Sequence, residues 1–114
     1  MDLRALYSGV IRMKYSKNSM VVDAIQFIYN PETIVALREF LGAAMGDVSK
    51  ARHMGAKAEL ELLNKDGKIK GIALDGDYLL KTETEFCYIC NAFDFEKDYV
   101  LVIDFYDLSK LITT

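Results

Sequence analysis

The first clear hydrophobic pattern in the chain is the segment MVVDAIQFI, residues 20–28. It is rich in β-branched and aromatic residues, a composition typical of a β-strand. Apart from Asp23 and Gln26, every position is apolar, so both faces of the predicted strand require burial. The pattern therefore predicts a central strand of a sheet rather than an edge strand.

A helix is predicted over residues 31–41, where the hydrophobic period changes to that of an α-helix. Asn30 is a good N-cap, Pro31 suits the first helical position, and Glu32 places a negative charge near the helix N-terminus. Gly42 is a typical helix stop. The apolar stripe of this helix, which needs a sheet to pack on, consists of Ile34, Leu37, Phe40 and Leu41.

From residue 58 onward the pattern becomes that of successive antiparallel strands. Residues 64–67, Asn-Lys-Asp-Gly, are typical of a type I turn followed by a left-handed glycine, which makes a G1 bulge in a hairpin loop. This turn pairs Asn64 with Lys68. Continued along the strands, this register pairs Leu62 with Lys70, Leu60 with Ile72, and Ala58 with Leu74. A register shifted by one residue would instead place glutamates opposite leucine and isoleucine, and would mix polar and apolar side chains on one face.

Turn residues divide the remaining chain into further strands and one irregular excursion. The strands are predicted at 77–82, 86–90 and 99–105, and the excursion at 91–98. The order of strand, helix and antiparallel strands predicts an α+β fold with two layers. In that fold a meander of about five to six strands packs on one main helix at 31–41.

The segments outside these elements are less regular. Residues 43–57 are rich in small residues and basic at their centre, and form either a long functional loop or a short second helix beginning at Asp47. Residues 1–12, which precede a second methionine, Met13, form either a short amphipathic helix or an appendage. We expect an N-terminal extension at 1–12, a single α+β domain at 13–105 and a C-terminal tail at 106–114.

Composition places the chain among folded globular proteins. It has 114 residues, of which 52% are hydrophobic and 27% charged, enough for one domain with one core. No stretch approaches the roughly 18 consecutive apolar residues of a membrane span. The first residues also lack the basic and apolar regions of a signal peptide. These features predict a cytoplasmic protein without membrane association, whose cysteines are reduced thiols.

Charge is distributed unevenly along the chain. Residues 1–71 carry eleven Lys and Arg against eight Asp and Glu, whereas residues 72–114 carry three against nine. An acidic C-terminal half argues against direct nucleic-acid binding, because phosphate contacts need clustered cations. It suits a basic protein partner, although an ordinary solubilising surface has the same composition. The candidate residues for such a partner are Asp94, Glu96 and Asp98.

The two cysteines, Cys87 and Cys90, suggest a metal or redox motif. A structural zinc site needs about four ligands, but only one histidine, His53, and no second cysteine pair accompany them. A redox pair needs a helix N-terminus, whereas residues 86–90 have the composition of a strand, in which residues three apart point to opposite faces. We therefore expect structural thiols, no metal and no cofactor. Because nucleotide-loop and nucleophile-elbow motifs are also missing, the sequence favours a non-enzymatic protein.

Two further groups of residues have the chemistry to contact a ligand. Lys50, Arg52 and His53 form a basic group that either binds an anion or belongs to a solvated loop. Aromatic residues are concentrated in the C-terminal half, and most are expected in the core. Any exposed ones would stack on bases or anchor a protein interface. These aromatics are Tyr78, Phe86, Tyr88, Phe93, Phe95 and Tyr99.

Several motifs resemble a widespread family of small, mostly uncharacterised phage and prophage proteins. Members of that family have a short Lys-rich start, a VVEAIQ strand, a Gly-Asp-Tyr or Gly-Asp-Trp strand, a Glu-Phe pair, a cysteine and a closing Phe-Glu-x-x-Tyr. The matching segments here are MKYSKNSMVVDAIQF at 13–27, GDYLLK at 76–81, Glu85-Phe86, Cys90, and FEKDY at 95–99. The resemblance covers about residues 13–102 and makes Met13 the expected family start.

The chain also departs from that family pattern. The usual Tyr-Pro-Cys-Lys-Pro segment is replaced by Tyr-Ile-Cys-Asn-Ala at 88–92, and Cys87 is an additional residue. Residues 43–57 are longer than the corresponding family linker. The resemblance brings no catalytic residue with it.

The resemblance implies a phage protein of the host cytoplasm that acts by binding. The first hypothesis is a counter-defence inhibitor that occludes a host protein, as anti-CRISPR proteins do. Its partner would be a defence nuclease or the basic nucleic-acid-binding surface of one. The second is an oligomeric sponge that holds a nucleotide signal between exposed aromatics and the loop with Lys50, Arg52 and His53. The third is a structural or assembly protein of the virion.

The sequence leaves these hypotheses, and a homodimer, open. An exposed acidic patch without a pocket favours the inhibitor. An aromatic pocket with a basic rim favours the sponge.

Overall fold

The computed structural model describes residues 12–102, which form eight strands, two α-helices and one 3₁₀-helix. The described residues leave out residues 1–11 of the extension predicted at 1–12, the end of the last predicted strand at 103–105 and the tail at 106–114. In chain order the elements are β1 Met13–Lys17, β2 Met20–Gln26, α1 Pro31–Leu41, the 3₁₀-helix Gly42–Ala44, β3 Met45–Ser49, β4 Glu59–Leu63, β5 Ile69–Leu74, β6 Tyr78–Thr82, β7 Cys87–Cys90, α2 Ala92–Asp98 and β8 Val100–Leu101.

The strands form two antiparallel sheets, which confirms the predicted α+β class. The larger sheet has the order β7-β6-β2-β1-β8, and the smaller one has the order β3-β4-β5. β2 pairs with β6, which follows it only after a long intervening segment. The strands of that segment, β3, β4 and β5, pair with one another and form the separate smaller sheet. β2 is the central strand of the larger sheet, as its apolar pattern predicted.

Two clusters of buried side chains lie on opposite faces of the larger sheet. The inner core lies between this sheet, α1 and the smaller sheet, and it includes Phe27, Leu37, Leu60 and Leu79. The outer core lies on the other face and is closed by α2. It is formed by Val22, Ala24, Leu80 and Phe95 with several tyrosines packed against them.

Helix α1 forms as predicted from its capping residues and apolar stripe. The Asn30 side chain accepts a hydrogen bond from the backbone N–H of Thr33 at 2.8 Å, and Gly42 ends the helix at a φ of 57°. Leu37, Phe40 and Leu41 are buried in the inner core. At the C-terminal end, Lys81 Nζ donates a hydrogen bond to the Phe40 carbonyl at 2.6 Å, which satisfies one of the free carbonyls of the last turn.

The register of the β4–β5 hairpin differs from the prediction beyond its turn. The turn itself is as expected: Asn64 N–H donates to the Lys68 carbonyl at 2.8 Å, and Gly67 has a φ of 79°. Next to it the register shifts, so that Lys70 becomes the extra residue of a β-bulge. The observed pairs are Leu62 with Gly71, Leu60 with Ala73, Glu61 with Ile72 and Glu59 with Leu74.

The predicted pairs Leu62 with Lys70, Leu60 with Ile72 and Ala58 with Leu74 are therefore wrong. The bulge places the small residues of β5, Gly71 and Ala73, on the inner face opposite two leucines, which leaves room for the larger sheet. A Cβ atom at Gly71 would lie 3.0 Å from Ile89 Cδ1 of β7. The close approach of the two sheets thus favours a small residue at this position, because a larger one would have to displace the end of the Ile89 side chain.

Residues 43–57 are neither wholly a loop nor a helix beginning at Asp47. They include β3, which pairs with β4 across an irregularity between Met45 and Val48. Gly46 fits there because a Cβ atom at this position would lie 2.8 Å from Glu61 Cβ. Glu61 Oε1 in turn accepts a hydrogen bond from the Asp47 N–H at 3.1 Å. This strand depends on contacts with β4 rather than on its own strand propensity.

The predicted excursion at 91–98 is a short helix, α2. The Asn91 side chain caps it by accepting a hydrogen bond from the Asp94 N–H at 2.8 Å, and Phe95 is its one buried residue. Residues 99–105 were predicted as a strand, and the described part of that segment contains the two-residue strand β8. Within residues 12–102, no helix has the length and apolarity needed to cross a membrane.

Asp23 is the one charged side chain in the middle of β2, and it is paired across the sheet. Arg12 and Lys14 contact its two carboxylate oxygens at 3.1 and 3.2 Å. Partial burial acts to raise the pKa of Asp23, but the hydrogen bonds and charges of these cations outweigh it and lower that pKa below its ordinary value.

Candidate functional site

The two cysteines point away from each other, as the strand composition of residues 86–90 predicted. Cys87 belongs to the inner core and Cys90 packs against the outer core, on the other face of β7, and both are free thiols. Burial raises the pKa of each thiol above its ordinary value. Buried, protonated thiols are poor nucleophiles. In the described part of the chain, no three His, Cys, Asp or Glu side chains form a group that could hold a metal ion.

The predicted acidic residues lie together on α2, and two of them have partners within the chain. The Asp94 carboxylate accepts a hydrogen bond from Asn91 Nδ2 at 3.0 Å. Asp98 lies 3.5 Å from Lys17 Nζ. Asp94 and Glu96 are exposed and Asp98 is half-buried. The exposed acidic charge of this helix is therefore concentrated in Asp94 and Glu96.

The predicted basic group lies in the exposed loop between β3 and β4. Lys50, Arg52 and His53 are all exposed. The His53 ring contacts the Met54 carbonyl at 3.0 Å, and its own carbonyl accepts a hydrogen bond from the Ala56 N–H at 3.0 Å. These residues do not line the two clefts described below, so the structure does not bring them to the exposed aromatics there.

Most of the predicted aromatics build the outer core. The Phe95 ring stacks on Tyr78 at a centroid distance of 3.8 Å and on Tyr99 at 5.0 Å. The hydroxyls of Tyr88 and Tyr99 are hydrogen-bonded at 2.9 Å. Burial and this hydrogen bond raise the pKa of Tyr88 well above its ordinary value. The exposed exceptions are Phe86, at 58%, and Phe93, at 75%.

Phe86 is held in place by the short hairpin at 82–86 that joins β6 to β7. Thr82 N–H donates to the Phe86 carbonyl at 3.0 Å, and Phe86 N–H donates to the Thr82 hydroxyl at 3.1 Å. The ring stands out from the sheet, and Lys70 Nζ lies 4.1 Å from its centroid. This contact is a cation–π interaction between the bulge of one sheet and a hairpin of the other.

Phe86 forms a wall shared by two surface clefts. The first, which we call the lysine cleft, has a volume of about 820 Å³. The second, the tyrosine cleft, has a volume of about 670 Å³. Residues lining the lysine cleft include Leu63, Lys65, Asp66, Lys70, Glu85 and Phe86. The tyrosine cleft is lined by Lys17, Met20, Tyr88 and Tyr99, among others.

The lysine cleft combines apolar walls, one exposed aromatic ring, two cations, and two carboxylates, Asp66 and Glu85. The ring and the two ammonium groups suit a ligand that has a flat aromatic part and an anionic part, because the ring can stack and the ammonium groups can pair with the charge. Cys87 also lines this cleft, but its raised pKa and the remote position of His53 leave no activated nucleophile among these residues.

The sequence pointed to Phe86 only as one aromatic among six, and Lys65 and Lys70 were not identified as site residues. Lys65 lies in the turn of one hairpin and Lys70 at the bulge beside it. Lys70 reaches the Phe86 ring, and Lys65 lines the same cleft, because β5 contacts β7 across the two sheets. The bulge itself could not be anticipated from the sequence, so the position of Lys70 could not be either.

In comparisons with known proteins, no protein-family model, no curated protein and no solved structure matches the chain.

Proposed function

We propose that the protein is a small, non-enzymatic binding protein that holds a nucleotide-like ligand in the lysine cleft. The observation that supports this proposal is Phe86, an exposed aromatic ring at a cleft of about 820 Å³ that also contains Lys65 and Lys70. An exposed aromatic ring beside two lysines favours sequestration of a ligand over occlusion of a basic protein, although Asp66 and Glu85 give the cleft a mixed rather than a purely basic lining. The cations of the site are then Lys65 and Lys70, in place of Lys50, Arg52 and His53.

Stacking on Phe86 supplies the part of the affinity that does not depend on which base is bound. Every nucleobase has a π-face, and stacking on an aromatic side chain contributes about 1–3 kcal/mol per base. Lys70 Nζ lies 4.1 Å from the centroid of this ring. Its side chain is exposed and flexible. The ammonium group can therefore leave the ring for the ligand's phosphate when a base takes its place.

The apolar side of the cleft strengthens the charge contacts. Ala44 and Leu63 line it beside the two lysines. A phosphate held against such a wall is partly removed from water, where its attraction to an ammonium group is greater than at an open surface. A volume of about 820 Å³ lies within the range of about 300–1,000 Å³ that small-molecule sites span.

The family resemblance supplies the biological setting of this proposal. In a phage protein, binding without catalysis removes a host nucleotide signal from solution, which is the action of a sponge.

Titration calorimetry with the four ribonucleoside 5′-monophosphates and the four 5′-triphosphates tests the cleft. Phe86→Ala is expected to weaken binding about tenfold or more, because the stacking surface is lost. Lys70→Glu is expected to weaken it by a similar factor, because a carboxylate repels the phosphate.

The matched controls are Phe93→Ala and Lys97→Glu, which change an exposed ring and an exposed lysine on α2. Both are expected to bind like the unchanged protein. The proposal is overturned if the unchanged protein binds none of the eight nucleotides, or if the control variants lose as much affinity as the cleft variants.

The acidic helix α2 supports a second candidate function, the counter-defence inhibitor. Asp94 and Glu96 are exposed there, close to the exposed ring of Phe93, so this surface offers both charge and an apolar anchor to a basic host protein. Asp98 contributes less, because Lys17 already lies 3.5 Å from its carboxylate.

A phage-rescue assay with two variants separates the two candidates. Asp94→Asn combined with Glu96→Gln removes both charges but keeps an amide oxygen beside the Asn91 cap, so α2 is expected to remain folded. If the surface binds a basic partner, this variant loses rescue and Phe86→Ala keeps it. The opposite result, with Phe86→Ala inactive and the neutralised helix active, supports the lysine cleft and contradicts the inhibitor.

A further inference from the structure

Glu85, in the lysine cleft, has a backbone conformation that L-amino acids rarely adopt. Its φ is 64°, in the left-handed region. Two other non-glycine residues, Asn18 and Ser19, also have positive φ values. These lie in the two-residue turn between β1 and β2, where the type of turn demands that conformation. Glu85 lies at a hairpin position that is usually occupied by glycine.

A second hairpin in the same chain has glycine at the corresponding position. In the hairpin at 64–68, Gly67 N–H donates to the Asn64 carbonyl at 3.0 Å and Gly67 has a φ of 79°. In the hairpin at 82–86, Glu85 N–H donates to the Thr82 carbonyl at 2.9 Å. The two hairpins therefore have the same hydrogen-bonding pattern, with glycine at the left-handed position of one and glutamate at the corresponding position of the other.

Nothing in the described fold requires the Glu85 side chain. It is exposed, and it forms no ion pair with another residue of the described segment 12–102. The contact that Cys87 Sγ makes with Glu85 at 3.9 Å uses the backbone carbonyl, which glycine would also provide. Strain that packing does not explain is typical of a residue kept for function.

The position of Glu85 indicates that function. It lines the lysine cleft and directly precedes Phe86 in the chain, so its carboxylate is within reach of a base that would stack on this ring. We infer that Glu85 reads the base and selects guanine, an inference that rests on the proposed function of the cleft. An ionised carboxylate has acceptor oxygens only. Of the common bases, guanine alone presents two adjacent donors, N1–H and the N2 amino group, to such a pair of oxygens.

Glu83 provides an internal control, because it is an exposed carboxylate of the same hairpin and does not line the lysine cleft. Its φ is not positive, so its backbone conformation is an ordinary one. The two carboxylates are therefore expected to differ in their effect on base selectivity, although they belong to the same hairpin.

Three variants test the inference with two readouts, the melting temperature and the ratio of the affinities for GMP and AMP. Glu85→Gly is expected to raise the melting temperature, because the strain is relieved, and to lower GMP affinity about tenfold or more with AMP unchanged. Glu85→Gln is expected to keep the melting temperature and lose the GMP preference. Glu83→Gln is expected to keep both the melting temperature and the preference.

The outcomes distinguish this inference from the proposed function. If both Glu85 variants retain the GMP preference while Phe86→Ala loses affinity for GMP and AMP alike, the inference is wrong and the cleft remains the binding site. A lower melting temperature in Glu85→Gly would show a structural role for the side chain and would also overturn the inference. If the unchanged protein binds neither nucleotide, the proposed function itself fails.

Discussion

Replacing Leu37 with aspartate is expected to unfold the protein. Leu37 is fully buried at the centre of α1, where it packs in the inner core between the helix and both sheets. A carboxylate at this position would lose its hydration without gaining a partner, at a cost of several kcal/mol. Small domains have only about 5–15 kcal/mol of stability. Loss of the cooperative thermal transition, followed by circular dichroism, is the expected result.

Val35→Asp is the matched control for this substitution. Val35 lies on the same helix but is 60% exposed, so a carboxylate there remains hydrated. We expect its melting temperature to stay within a few degrees of that of the unchanged protein. Equal effects of the two substitutions would show that α1 does not pack through the stripe containing Leu37.

Phe95→Ala is expected to lower the free energy of unfolding by about 3–5 kcal/mol, the usual range for a buried phenylalanine. Phe95 is only 3% exposed and is the one buried residue of α2. Its ring contacts Tyr15, Tyr78 and Tyr99, with centroids 4.7, 3.8 and 5.0 Å away. Without it, α2 loses its main contact with the larger sheet. Urea denaturation followed by fluorescence and circular dichroism measures the loss.

Phe93→Ala provides the comparison within the same helix. Its ring is 75% exposed, so its removal leaves no cavity and is expected to cost less than about 0.5 kcal/mol. Losses of similar size at the two positions would contradict the role of Phe95 as the anchor of α2.

The elements that the sequence predicted well are those whose local chemistry is sufficient to define them. Helix α1 has a side-chain N-cap at Asn30, a proline in its first turn and a glycine stop, and its observed bounds are the predicted ones. The apolar pattern of β2 correctly indicated a central strand, because only a strand covered on both faces buries such a segment.

The elements that were missed depend on contacts between distant parts of the chain. β3 has a glycine and an aspartate among its five residues, and it forms by pairing with β4. The bulge at Lys70 brings Gly71 next to Ile89 of the other sheet, a neighbour that is distant in the chain. Helix α2 had a local signal in the Asn91 cap, but its seven residues contain a single buried side chain and therefore no hydrophobic period.

The candidate site was predictable only in part for the same reason. Phe86 was recognisable as an aromatic residue of the C-terminal half, and its exposure is a property of the folded structure. The lysine cleft brings the hairpin at 64–68 to the hairpin at 82–86, which belong to different sheets. Sequence spacing alone does not indicate such a contact.

The pairing of β2 with β6 also constrains the order in which the nascent chain can fold. Residues 27–77 lie between these neighbouring strands, so the larger sheet cannot be completed until β6 has been synthesised. Meanwhile β1 and β2 can form a hairpin, which leaves one edge of an apolar strand open to other chains. Asp23 interrupts the apolar run in the middle of that strand, and a charge at such a position disfavours pairing with other chains before β6 is available.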